Sequence, residues 1–251
     1  MSTRFVRVVL LTLLVTSLLA APTIAQEATP TGVEVGGITV LAPDASYAEV
    51  SRGEWDARAW QWTASMPPEV NPNFDPTGER CGYGQSGPVF FLPENFTGSP
   101  GTMTCIVPEG TAIFVPLGST SCSTVDPPPY FGRNEEELRA CAVSFADDYS
   151  DLQVSINGKQ VPNLEDYRSS TPLFPIYFSE DHFYGLPEGA ASAVAEGYSF
   201  IIAPPPPGEY EVTLSYVYAP EDVAITAIYR VIVEAPQVIE PAATPAATPA
   251  G

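Results

Sequence analysis

"EYEVTLSYVY", residues 209–218, decides the fold class. Tyr210, Val212, Leu214, Tyr216 and Tyr218 recur at every second position, which puts all five on one face of a β-strand. A helix would scatter them around its axis. The neighbouring run "ITAIYRVIV" (225–233) is rich in β-branched residues and suits a second strand. "LQVSINGKQV" (152–161) carries Leu152, Val154 and Ile156 on one side. Its Asn157-Gly158 pair is the strongest hairpin signal in the chain, because a tight hairpin turn needs two residues that tolerate positive φ. Further short apolar runs bounded by Gly and Pro are "VGGITVL" (35–41), "GPVFFL" (87–92), "TMTCIVP" (102–108), "TAIFVPL" (111–117), "LFPIYF" (173–178) and "YSFIIA" (198–203).

Only two segments read as helix. Ser51 and Glu54 form a capping box, followed by Trp55, Ala59, Trp62 and Met66 at helical spacing and ended by Pro67-Pro68. The second starts at Asn134. Glu135, Glu136 and Glu137 place negative charge at the positive end of the helix dipole, and Leu138, Cys141, Ala142, Phe145 and Tyr149 form its apolar stripe. Many short strands, frequent Gly and Pro turns and two helices predict a mainly β protein: an antiparallel β-sandwich, with a jelly roll as one such arrangement, and two short α-helices.

The ends differ from this middle. Arg4 and Arg7 precede an apolar run to Ala21 and a small-residue stretch to Ala25, the pattern of a signal peptide over 1–25. That run is shorter than the roughly 20 residues a membrane-spanning helix needs. Residues 26–32 read as a spacer, 33–235 as a single domain and the Pro/Ala/Thr-rich 236–251 as a tail that buries too little apolar surface to order itself. The expected location is therefore outside the cell or in the envelope.

The chain has 10 Lys+Arg against 30 Asp+Glu, a net charge of −20. Nucleic acid is excluded as a partner for want of a basic stripe, and an anionic membrane surface would repel the chain. Four cysteines, Cys81, Cys105, Cys122 and Cys141, allow three pairings in an exported protein. Proximity along the chain favours Cys81–Cys105 and Cys122–Cys141.

The ordered set "EWDARAWQW" (54–62), "GQSGPVFFL" (84–92), "CIVPEGTAIFVP" (105–116) and "PPGEY" (206–210) resembles a group of secreted bacterial proteins. These share a Trp-rich helix, a Gly-Gln-x-Gly-Pro-Val-x-Phe-Leu strand, a Cys-x-Val-Pro-x-Gly strand start and a late Pro-Gly-Glu turn. The resemblance covers about residues 47–234. It implies a common fold and carries no chemistry.

Three candidate sites stand out. Trp60 lies well round the helix from Trp55 and Trp62, near Asp56, and is the tryptophan placed to stack on a ligand such as a sugar. His182, the one histidine, is flanked by Glu180 and Asp181 and is the candidate general base. Asn71, Asn73, Asp75 and Glu79 alternate in a turn-rich loop and supply oxygen ligands of the kind that bind Ca²⁺. No other cofactor is predicted. No Gly-x-Ser-x-Gly nucleophile elbow occurs, and paired cysteines are not nucleophiles. The first reading is a binding module for a carbohydrate, Ca²⁺ or a protein. The alternatives are a hydrolase built on carboxylates or His182, and a structural envelope protein.

Overall fold

A computed structural model describes residues 31–219 and 223–235. The expected signal peptide, most of the spacer and the tail lie outside them. The described chain forms two sheets. The first contains β1 (Gly32–Val35), β2 (Ile38–Leu41), β3 (Val89–Phe91), β5 (Ala112–Ser123), β8 (Arg168–Ser170), β9 (Phe174–Phe178) and β10 (Gly189–Ile202). Its path is β1-β2-β10-β5-β3, with β8 and β9 also pairing with β10. The second sheet runs β4-β12-β11-β6-β7, from β4 (Thr102–Pro108), β6 (Tyr149–Ile156), β7 (Lys159–Gln160), β11 (Gly208–Tyr218) and β12 (Val223–Glu234).

The described residues are mainly β with two α-helices, as the alternation requires. Both sheets are mixed rather than purely antiparallel, because β3 pairs parallel to β5 and β4 parallel to β12. Gly32, read as spacer, already pairs with Leu41. The run 35–41 is two strands, not one, because Gly36 and Gly37 both take positive φ and turn the chain. The Asn157-Gly158 turn has φ 48° and 73°, the conformation its sequence predicted.

Inward residues of both sheets make one core. Val212, Leu214 and Tyr216 of β11 and Tyr229, Val231 and Val233 of β12 meet Ile113, Val115 and Leu117 of β5 and Phe200 and Ile202 of β10. The helix α1 (Arg52–Ala64) covers the other face of the first sheet. Its Trp55 and Trp62, with Met66, pack on Phe91, Phe114 and Ile201. Ser51 and Glu54 form the predicted reciprocal cap. The close seat of α1 depends on Gly53, where a Cβ would lie 2.5 Å from the Ser170 carbonyl oxygen. The buried Arg52 then locks the helix by donating to the carbonyls of Pro43, Tyr167, Arg168 and Ser199.

The helix α2 (Glu135–Ala146) packs on the far ends of β5 and β10 through Leu138 and Ala142, against Cys122 and Val194. It stops at Ala146, so Tyr149 belongs to β6 and not to the helical stripe. The disulfides are Cys81–Cys105 and Cys122–Cys141. No described helix is long and apolar enough to cross a membrane.

Candidate functional site

The β5 strand opens a gap in the sandwich. β3 pairs with it only from Ala112 to Phe114. Beyond Phe114 the chain of β3 leaves the sheet, and that edge of β5 carries no strand among the described residues until a single bridge between Ser123 and Phe131. Pairing with β10 shifts register between Gly197 and Ser199, opposite Gly118. Gly118 has φ +96°, and a Cβ there would stand 2.8 Å from the Tyr149 ring. The irregularity therefore makes room for Tyr149 and leaves Ser119, Thr120 and Ser121 along an open edge.

That edge forms one wall of a cleft of about 710 Å³. Ligand pockets generally hold about 300–1,000 Å³. Nine of its twenty lining residues are aromatic. Trp60 enters from α1, and its indole nitrogen donates to the Ser119 hydroxyl at 3.1 Å. Tyr149, Tyr216 and Tyr218 form the opposite wall, with ring centroids 5.5 Å (149–216) and 5.1 Å (149–218) apart. The Tyr149 hydroxyl donates to the Ser119 carbonyl at 3.0 Å and lies 2.9 Å from the Thr120 hydroxyl. Burial keeps the Tyr149 and Tyr216 phenols protonated far above neutral pH. The rim is a cluster of Phe74, Phe96 and Phe183, with centroids 5.1–5.6 Å apart.

Two carboxyl groups face this cleft, Glu94 and Asp126, and no Lys, Arg or His lines it among the described residues. Glu94 is half-buried. Its backbone N–H donates to Asn73 Oδ1 at 2.6 Å, which fixes the segment in place, while its carboxyl group makes no hydrogen bond or ion pair among the described residues. Burial, with the Asp56 charge beside it, pushes Glu94 up to about 8. Burial raises Asp126 as well, against hydrogen bonds from Ser123. Beside Glu94 lies a small recess of about 20 Å³, enough for one water-sized molecule. Asp56, Trp60, Thr63, Asn73, Glu94 and Ser119 line it. Asp56 is 2% exposed and its Oδ2 has no hydrogen-bond partner. Burial pushes Asp56 up to about 7, against the pull of Arg52.

The residues singled out in the sequence fall in different places. Trp60 lines both the small space and the cleft, while also packing against Phe174, Ile176 and Phe178. His182 is buried rather than open to the cleft. Its Nδ1 accepts from the Tyr184 N–H at 3.3 Å, its Nε2 has no partner, and its ring packs against Phe178 and Phe183. Burial lowers it to about 4, so it is a neutral imidazole. Glu180 and Asp181 are exposed and form no ion pair with it.

The loop of Asn71, Asn73, Asp75 and Glu79 spends most of its oxygens on itself. Asn71 Oδ1 accepts from Asn73, and Asp75 accepts from Thr77 and from the Arg80 N–H. Glu79 is exposed. Among the described residues no three His, Cys, Asp or Glu side chains are grouped to hold a metal ion. The loop instead supports the cleft, since Asn73 also accepts the Phe96 N–H through its backbone carbonyl at 3.0 Å.

No protein-family model matches the chain, and no curated protein matches it. Two solved structures are similar to parts of it. PbICP-C, in complex with falcipain-2, is 16% identical over 59% of this chain and 100% of its own, with a TM-score of 0.24. Amebosin, solved in solution, is 14% identical over 53% of this chain and 89% of its own, with a TM-score of 0.18. At these TM-scores neither likeness carries an argument.

Proposed function

We propose that this chain is an extracellular binding module that holds a small organic ligand in the cleft between the open edge of β5 and the tyrosine wall of β6 and β11. The observation that carries this reading is the cleft itself: about 710 Å³, with nine aromatic residues among its twenty lining residues and one carboxyl group that has no partner among the described residues. Aromatic faces supply large contact area at low conformational cost, and a few polar groups orient what they hold. The two disulfides agree with a location outside the cell. The test is a thermal-shift screen of small metabolites and oligosaccharides on the chain and on Ser121→Trp, which fills the cleft wall. Hits are expected for the parent and not for the variant, with circular dichroism confirming the variant's fold. Hits retained at full strength by Ser121→Trp would place the ligand elsewhere and end this reading.

A second reading is a carboxylate-based hydrolase. It is favoured by Asp56 and Glu94 lining one small space beside the cleft, with both pushed toward the protonated, proton-donating form at neutral pH. Turnover of chromogenic glycosides or esters that disappears in Glu94→Gln would promote it over simple binding.

A further inference from the structure

Resting on the reading of this cleft as a ligand site, we infer that its ligand is a small organic cation, an alkyl or quaternary ammonium ion, held between the tyrosine and tryptophan faces with Glu94 as its counter-charge. Three observations meet here.

The first is the state of the carboxyl groups. Elsewhere in the protein, buried acids have cationic or amide partners. Glu196, 9% exposed, meets Arg168 at 2.8 Å, and Asp75, 6% exposed, meets the N–H groups of Thr77 and Arg80. Glu94 has none, and the nine-tenths-buried Asp56 behind it leaves Oδ2 unpaired. A sheltered carboxylate without a partner is unfavourable, and no side chain lining the cleft carries the charge that would relieve it. A ligand can.

The second is the lining. Ring faces carry negative electrostatic potential and attract a cation within about 6 Å. A hard cation such as Ca²⁺ would need six to eight oxygens around it. The cleft offers Trp60, Tyr149, Tyr216 and Tyr218 among its lining with only two carboxyl groups, which suits a soft, alkylated cation. The third is the net charge of −20, which draws cations toward the surface and repels anions.

Burial and the Asp56 charge from α1 set the charge state of Glu94, and the other titratable groups around it are Asp126 after β5, Tyr149 from β6, Tyr184 before β10, Tyr216 and Tyr218 from β11, and Tyr229 from β12. All are acids. Burial keeps Glu94 protonated near neutrality, so an arriving cation displaces its proton, and affinity rises from pH 6 to pH 8.

The test is isothermal titration of the whole chain at pH 8 with two matched pairs: choline against 3,3-dimethylbutanol, and butylamine against butanol. At least one cation is expected to bind ten-fold or more tighter than its neutral partner. Glu94→Gln is expected to remove most of that preference. If the neutral compounds bind as well as the cations, and Ser121→Trp abolishes them, the cation inference falls and the cleft reading stands. Absence of binding by both cations at millimolar concentration also overturns the inference, and the cleft is then judged by the metabolite screen alone. A preference that survives Glu94→Gln removes Glu94 as the counter-charge and overturns it too.

Discussion

Asp56→Asn should make the protein more stable at high pH and change it little at low pH. Asp56 is 2% exposed, one of its oxygens has no partner, and its carboxyl is pushed from an ordinary 3.8 to about 7. A carboxyl whose folded pKa lies above its unfolded value contributes fully to stability below the unfolded value. That contribution is lost as pH rises through the folded one. The separation corresponds to about 4 kcal/mol in total, of which about 3 kcal/mol falls between pH 5 and pH 8. The attraction of Arg52 is already contained in that shift. Below about pH 4 the parent carries a neutral group at this position in both folded and unfolded states, as the variant does at every pH, so their difference there is small; by pH 5 about 1 kcal/mol already separates them.

The assay is equilibrium urea unfolding of both proteins at half-unit steps from pH 5 to pH 8. Urea is uncharged and leaves the electrostatics of a chain with net charge −20 unscreened. General repulsion at high pH acts on both proteins and cancels in the difference. Carboxyls held low by hydrogen bonds, such as Asp75 and Glu209, lose their contribution only as pH falls below the ordinary carboxylate range, outside this window. The gap between the two curves should widen by about 3 kcal/mol across the range. Parallel curves would refute the assignment of Asp56 as a buried acid that Arg52 compensates only in part, and with it the account of the space beside Glu94.

Three further outcomes are expected. Gly118→Ala forces a side chain into positive φ and against the Tyr149 ring, and should lower stability by about 2 kcal/mol in the same urea assay. Asn73→Ala removes the buried acceptor of the Glu94 N–H; a loss of about 1–3 kcal/mol is expected, with weaker binding of any cleft ligand in titration. Replacing Cys122 and Cys141 together by Ser opens a loop of sequence separation 19 and should lower the urea-unfolding free energy by about 3 kcal/mol, with the Cys81–Cys105 bond intact by mass spectrometry.

Period-two alternation made the strands of the second sheet legible, because each has one buried and one open face. The helix caps were legible for the same local reason: Ser51 and Glu54 need only each other's backbone. The cleft was not, because its parts are far apart in the chain. Trp60 was separable from Trp55 and Trp62 by its angle on the helix, and Asp56 lies one turn before it. Glu94, in "LPENF", carries no local signal; what isolates it is the end of β3 and the absence, among the described residues, of a neighbouring strand just beyond Phe114. Tyr216 and Tyr218 did leave a trace. The inward face of β11 changes from Val212 and Leu214 to tyrosine where the core gives way to the cleft. Tyr149 was misplaced by one element, since its position fits the stripe of α2 but the helix ends three residues earlier. The lone histidine drew attention as the only imidazole, yet its neighbours Phe183 and Tyr184, not the ring itself, reach the cleft.

The spacing of Arg52, Asp56 and Trp60, four residues apart each time, links the stability of α1 to the chemistry of the cleft. Residues at that spacing form one stripe along a helix. At its start Arg52 is fixed by four carbonyls; at its middle Asp56 faces the space shared with Glu94; at its end Trp60 lines the cleft. Charge added at Glu94 is therefore felt at Asp56, because Asp56 raises the preference of Glu94 for its proton and such coupling is reciprocal. A cation at Glu94 offsets that repulsion, and the stability lost by the empty protein as pH rises is partly restored on binding. The stabilisation produced by a cationic ligand should then be larger at pH 8 than at pH 6 at equal occupancy, and Asp56→Asn should flatten that difference. A neutral ligand of the same shape would stabilise the protein equally at both.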